Sequence, residues 1–229
     1  MKKICFIVVM ICSFSQVAQT TVTKNLGDYS ILKVYNGIAL ELIASTEEKL
    51  VITGKKSEKV KIKNVNNTLK ISLPFSLNPS DNSADGEVLV KLYYSKSLDV
   101  IDANEGATIT GKEITQEKLE VNAQERAFIN LVLDVKHLEV RASSGGIIRL
   151  SGSVKNQTVD VDLYGVYNGF ALSTKENSTV NAGTGAKAEV MAGETLNAKV
   201  SFGGSIFYKG SPEVVKDKKL IGGIIEKRD

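Results

Sequence analysis

The stretch that decides the fold runs from residue 98 to residue 210: LDVIDANEGATITG from Leu98, LEVNAQERAFINLV from Leu119, LEVRASSGGIIRLSG from Leu138, TVDVDLYGVYNGFAL from Thr158, STVNAGTGAKAEVMAG from Ser178 and LNAKVSFGGSIFYKG from Leu196. Each line holds an alternating apolar strand, a turn of small residues or glycine, and a second apolar run. Aligning the turns on Gly106, Arg126, Gly145, Gly165, Gly185 and Gly204 gives spacings of 20, 19, 20, 20 and 19. A fixed period of this length with strand patterning predicts a β-solenoid, in which a coil cannot bury its own apolar side chains and stacks them on the next. Coils about 4.8 Å apart would align Val100, Val121, Val140, Val161 and Val180 as one inward ladder. Glycine at the corner permits the positive φ of a sharp bend. Arg126 therefore predicts a weaker or differently shaped corner. An antiparallel meander of hairpins with the same turn chemistry is the competing arrangement.

Upstream of the repeats the texture differs. Between Tyr29 and Ala103, runs such as KVKIK, TLKISL and EVLVKLYY alternate with period two, placing Leu69, Ile71 and Leu73 on a buried face and Lys61, Lys63 and Lys70 in water. Asn66 and Asn67 predict a hairpin turn, because asparagine tolerates positive φ. The breaker cluster NPSDNSADG, from Asn78 to Gly86, predicts an exposed loop. No window carries the three-and-four spacing of an amphipathic helix.

The first residues, MKKICFIVVMICSFSQVAQT, read as a secretory signal: Lys2 and Lys3 supply the basic start, Ile4 to Phe14 the apolar run and Ser15 to Thr20 a polar exit, with cleavage near Ala18 or Gln19. The run is shorter than the roughly 20 residues of a membrane span. Ile11 before Cys12 excludes lipoprotein processing, which needs a small side chain there. Cys5 and Cys12 both fall inside the signal, leaving the mature chain without a disulfide, a thiol nucleophile or a thiolate metal site. Removing Lys2 and Lys3 from 29 basic residues leaves 27 against 26 acids, a net +1. That balance argues against nucleic acid or an anionic membrane as partner. The expected organisation is a signal over residues 1–19 and one all-β domain over 20–229, divided into an N-terminal sheet region (20–97), repeat coils (98–210) and a terminal cap (211–229). In that cap Leu220, Ile221, Ile224 and Ile225 would cover the apolar end of the last coil.

The lines ASSGGIIRLSG, VDLYGVYNGFAL and LNAKVSFGGSIFYKGSPEV followed by LIGGII, with Tyr208, Gly210 and Pro212 closing the repeat, resemble the auto-transporter adhesin, head GIN domain family. The stretch from YSILKVYNGIALELI to LYYSKSLDVIDANEGA is similar to that family's N-terminal part. Glu125 with Arg126, and Tyr164 with Val166, depart from the family's small-residue turns. The resemblance implies a right-handed parallel β-helix of pectate-lyase type, exported to the periplasm or cell surface of a Gram-negative bacterium, with no known catalytic residues.

Residues that could carry chemistry are few. His137 is the single histidine and no G-x-S-x-G elbow accompanies it, so an Ser-His arrangement has no basis. Asp99, Glu120, Glu139 and Asp160 fall at one position of four consecutive coils. Pointing outward, they would repel one another unless cations intervene, making either a calcium-binding ridge or, with Lys118 and Lys136 beside them, a solvated mixed-charge face. Asp81 and Asp85 occupy the first half of a calcium-loop pattern whose twelfth position holds Leu92 in place of glutamate. Tyr164 and Tyr167 are the expected exposed aromatic pair, and Phe170, Phe202 and Phe207 the expected core. The expected function is a non-catalytic binding or adhesion module with a protein or glycan ligand. A polysaccharide lyase-like enzyme and a purely structural envelope protein are the alternatives.

Overall fold

The computed structural model describes residues 19–22 and 26–229, and the expected signal, Cys5 and Cys12 lie outside these except for Gln19. Apolar alternation in the first part of the chain produces eight short strands: β1 (Gln19–Val22), β2 (Ile31–Val34), β3 (Ala39–Ala44), β4 (Lys49–Gly54), β5 (Lys61–Val65), β6 (Thr68–Ser72), β7 (Val88–Tyr94) and β8 (Val100–Ala103). The repeats then give four strands of 15 to 17 residues, β9 (Thr108–Ala123), β10 (Phe128–Ala142), β11 (Ile147–Val161) and β12 (Val166–Ala182). The last coils are split into shorter pieces, β13 (Lys187–Met191), β14 (Thr195–Ser201), β15 (Ser205–Lys209), β16 (Val214–Leu220) and β17 (Ile224–Lys227).

From β8 onward every pairing is parallel and joins one coil to the next: β8 to β9, β9 to β10, β10 to β11, β11 to β12, then β12 to β13 and β14 and onward to β15, β16 and β17. The solenoid predicted from the period is therefore present, and the meander is not. Antiparallel pairing is confined to the N-terminal end, where β1 lies on β4, β4 on β7 and β5 on β6. Asn66 and Asn67 make the β5–β6 turn at φ of 51° and 62°.

Coil stacking starts earlier than the sequence texture suggests. Strand β2 pairs in parallel with both β6 and β8, and β3 with both β7 and β9. The coil β2–β3 is thus inserted in space between the coil β6–β7 and the coil β8–β9, although it precedes both in sequence. No local pattern records a partner seventy residues away, which is why the repeat appears to begin at Leu98.

Most coils turn at a corner made of two consecutive residues with positive φ, the exception being Thr184–Gly185, where only Gly185 is positive. The pairs are Glu105–Gly106, Glu125–Arg126, Ser144–Gly145, Leu163–Tyr164, Phe202–Gly203 and Ile221–Gly222, while Asn36–Gly37 and Asp85–Gly86 make the same turn in the N-terminal region. Corners are tied along the solenoid by backbone bonds such as Gly106 N to Glu125 O (2.9 Å), Arg126 N to Ser144 O (3.2 Å) and Tyr164 N to Thr184 O (2.9 Å). Arg126, at φ 62°, has the same corner as its neighbours, contrary to the expectation of a different shape. Gly165 is not a corner residue. It follows the Leu163–Tyr164 pair, and a Cβ there would stand 2.1 Å from the Ala142 carbonyl oxygen. Glycine serves two purposes one residue apart, so anchoring the repeat on glycine alone slips the register at Gly165 and Gly204.

The inward ladder also differs from the expected one. The stacked row is Ile101, Val121, Val140, Val159, Val180 and Ala198, and the next is Ala103, Ala123, Ala142, Val161, Ala182 and Val200. Val121, Val140 and Val180 share a row as expected, whereas Ile101 and Val159 replace Val100 and Val161. Residues of both rows are almost completely buried. Each fully buried valine or isoleucine contributes about 1.5–3 kcal/mol, so these rows help hold the stack of coils together.

The C-terminal tail does not fold over the solenoid's end. Strands β16 and β17 continue it as a further coil in register, with Leu220, Ile221 and Ile224 exposed and Ile225 half-buried. Under Ala198 and Val200 the two inward rows end in Asp217 and Lys219. Charge at inward positions of a terminal strand opposes pairing with another edge.

Candidate functional site

Alternation that buries Ile101 and Val121 turns their sequence neighbours outward, one per coil. On the flank carrying β8, the second halves of β9 to β12, β14 and β16, two outward rows run along the solenoid. One is Val100, Glu120, Glu139, Thr158, Thr179 and Asn197; the other is Asp102, Asn122, Arg141, Asp160, Asn181 and Lys199. Polar side chains thus stand at coil spacing on a nearly flat face.

The predicted acidic ridge is broken by this register. Glu120 and Glu139 are direct neighbours in the row that starts at Val100, and Asp99 lies one residue before that row, its carbonyl accepting from the Glu120 N–H at 2.9 Å. Asp160 stands in the other row, opposite Arg141. Arg141 reaches across, with Nη1 2.9 Å from Glu120 Oε1 and Nη2 3.2 Å from Glu139 Oε2. Asn122 Nδ2 donates to the same Glu120 oxygen at 2.8 Å. A guanidinium stands where the repulsion between coils would otherwise need a cation. Among the described residues no three acidic or histidine side chains converge in a metal-binding group.

Before Asn122 the row passes through Asp102, a nearly buried carboxylate that accepts from Lys33 Nζ at 2.9 Å and from Asn104 Nδ2 at 2.8 Å, and continues to Lys33 and Lys70. The bond to Asp102 raises the Lys33 pKa above its ordinary value. Asp81 and Asp85 are far from this flank in function: Asp81 pairs with Lys59 at 3.4 Å, and Asp85 accepts from Ser83 Oγ at 2.7 Å inside its own turn. His137 is exposed on β10, between Lys118 and Asn156.

Three shallow troughs follow one another along the face. The first, about 560 Å³, is floored by Leu119 and Leu138 and walled by Asp99, Glu120, Glu139 and His137. The second lies between Asn122, Arg141, Ser143 and Asp160, and the third between Asp160, Asn181 and Lys199. None is a deep enclosed cleft of the kind that surrounds a small substrate.

The aromatic expectations are partly reversed. Tyr164 is exposed, at 69%, but Tyr167 is completely buried, its hydroxyl donating to Gln157 Oε1 at 3.0 Å, while Gln157 Nε2 donates to Thr174 and Ser178. Burial pushes the Tyr167 phenol far above its ordinary range. Phe202 is exposed at the corner before Gly203, and Phe170 and Phe207 lie half-exposed on the outer face under Lys209 and Arg228. Reading Tyr167 and Phe202 correctly required knowing which residues turn the corner, since that resets the alternation.

Fold and flank together define a β-solenoid that presents a ruled polar surface. Over residues 28–212 the chain matches the family described as putative auto-transporter adhesin, head GIN domain, and it belongs to that family. Among solved structures it is similar to a putative adhesin from Bacteroides fragilis (TM-score 0.81, 18% identity, covering 92% of this chain and 97% of that one). It is also similar to a putative adhesin from Parabacteroides merdae (0.68, 17%, 94% and 97%) and to a putative lipid binding protein from Parabacteroides distasonis (0.65, 19%, 92% and 97%). No curated protein matches it. No helix among the described residues is long and apolar enough to cross a membrane.

Proposed function

We propose that this chain is an exported, non-catalytic binding module of the cell envelope or surface, and that its ruled flank holds an extended polar ligand such as a glycan or a polypeptide strand. The observation that carries this reading is the outward row from Asn122 to Lys199, which repeats a hydrogen-bonding side chain at every coil. A ligand with its own regular repeat can pair with several such groups at once, and weak contacts then add along its length. Membership of a family described as putative auto-transporter adhesins supports a binding role, and the apolar start of the sequence supports export.

A glycan array probed with the purified mature chain, followed by the same array with Arg141→Ala and with Asn122→Ala/Asn181→Ala, tests the reading. Retained polymer binding that both variants weaken is expected. Equal binding by all three would remove the flank from the site. Uronate polymers incubated with the chain should stay intact, and the appearance of unsaturated product would replace this reading with a lyase. Fractionation with N-terminal sequencing should recover a chain beginning near Thr20 outside the cytoplasm.

A further inference from the structure

The balanced net charge conceals a segregation. Residues 55–70 contain six lysines (Lys55, Lys56, Lys59, Lys61, Lys63 and Lys70) and one acid, Glu58, whereas residues 98–166 contain eleven acids and seven bases. The sheet concentrates the first group further. Lys63 lies opposite Lys70 across the β5–β6 hairpin, and Lys70 opposite Lys33 on β2. Lys61, Lys63 and Lys70 are exposed and make no ion pair with a carboxylate among the described residues; Lys70 instead stands 4.1 Å above the Tyr35 ring.

The loop that leaves β6 beside this face displays apolar side chains in an ordered way. Phe75 is 84% exposed and Leu77 94%, the two most exposed large apolar side chains among the described residues. Ser76 between them is clamped by Asn82, whose Oδ1 accepts from the Ser76 N–H at 2.6 Å and whose Nδ2 donates to the Ser76 carbonyl at 2.8 Å. Lys56 Nζ bonds the Ser80 and Ser83 carbonyls at 2.7 and 2.6 Å, and Lys59 pairs with Asp81. Lys61 faces Ser72, three residues before Phe75. The loop is therefore braced with its apolar tip outward, next to unpaired ammonium groups.

We propose that the Phe75–Leu77 tip and the adjacent lysine face form a docking surface for an anionic lipid bilayer. The pairing of chemistries selects that occupant. A neutral apolar protein groove would match the tip and leave the lysines without partners, whereas an anionic lipid interface satisfies both, taking the rings and methyls into the headgroup–acyl boundary and the ammonium groups against phosphate. The lysine face continues the outward row of the flank beyond Asp102, through Lys33 and Lys70, but Phe75, Leu77, Lys61 and Lys63 are untouched by the flank variants, so either reading can fail without the other.

Co-sedimentation of the purified mature chain with vesicles of phosphatidylglycerol and phosphatidylcholine, compared with phosphatidylcholine alone, tests it. Binding to the anionic vesicles only, falling steeply between low and high salt, is expected. Phe75→Ser/Leu77→Ser and Lys61→Glu/Lys63→Glu should each weaken binding by about tenfold or more while leaving the melting temperature unchanged, because all four side chains are exposed. Equal binding to both vesicle types, no binding to either, or binding undiminished in both double variants would overturn the proposal. So would a wild-type dimer in sedimentation velocity that Phe75→Ser/Leu77→Ser dissociates without any effect of vesicles, which would identify the tip as a contact between copies.

Discussion

At the scale of single residues, the molecule holds side chains where backbone conformation disfavours them. Glu125, Arg126, Leu163, Tyr164, Phe202 and Ile221 all lie at positive φ, a region that costs an L-residue roughly 1–2 kcal/mol. Replacing Tyr164 or Arg126 by glycine should therefore stabilise the chain by up to about 1 kcal/mol, the gain being reduced by the greater freedom of unfolded glycine. Thermal melts of the two variants would check this, and a fall in melting temperature would mean that packing of the Tyr164 ring over Gly185 outweighs the strain. The same corners mark the limit of sequence reading. Arg126 and Tyr164 look like exceptions in a row of glycines, yet both adopt the positive φ of the corners they are hydrogen-bonded to.

Arg141 and Tyr167 carry two further expectations at this scale. Arg141→Gln removes the guanidinium that separates Glu120 and Glu139; as an exposed pair this should cost no more than about 1 kcal/mol. It should also make the melting temperature rise with added calcium, which the wild type does not require, and differential scanning fluorimetry would read both effects. For Tyr167 the sign follows from burial. The phenol stays protonated in the folded chain above the pH at which the unfolded chain ionises, so its contribution is complete below the ordinary tyrosine value of 10.0 and is lost as pH rises beyond it. Tyr167→Phe should flatten the decline in melting temperature between neutral and strongly alkaline pH. It should also lower stability near neutrality, since Gln157 Oε1 then loses its donor in the core.

At the scale of elements, the strands of the repeats were legible because period-two alternation and a fixed period act together. Two things were not. The coil β2–β3 finds its partners only through distant pairing, and β16–β17 reads as an amphipathic cover because KDKK interrupts its apolar residues. Asp217 and Lys219 interrupt them at the inward positions of the last coil, where they block an edge that would otherwise be open to pairing. Asp217→Val/Lys219→Val should therefore increase self-association. Light scattering against concentration would measure this, and an unchanged monomer would assign the block to other residues.

At the scale of the whole molecule, the flank and the basic end answer to different rules. A solenoid in which each coil contacts mainly its neighbours tolerates a change in coil number. Deleting residues 127–145 joins Arg126 to Gly146, the residue that follows Arg126's counterpart Gly145 in the next corner, and should give a folded chain one coil shorter, with strand-rich circular dichroism and a cooperative melt. Loss of cooperative unfolding would show that coils are not interchangeable. The candidate surface was legible only in part. Composition named the acids of the flank, but register decided that Arg141 divides them. Net charge, being a sum, erased the lysine face that the β5–β6 hairpin assembles.

The spatial insertion of β2–β3 sets an order of events. A chain emerging from its amino terminus presents residues 31–44 first, yet both neighbours of that coil come later, one in β6 and β7 and the other only when residues up to Gly111 are available. The downstream coils can add one at a time onto a coil already made. The coil β2–β3 has no such template, and its pairing is expected to follow the arrival of both flanking coils, which hydrogen exchange during refolding would detect as late protection of residues 31–44.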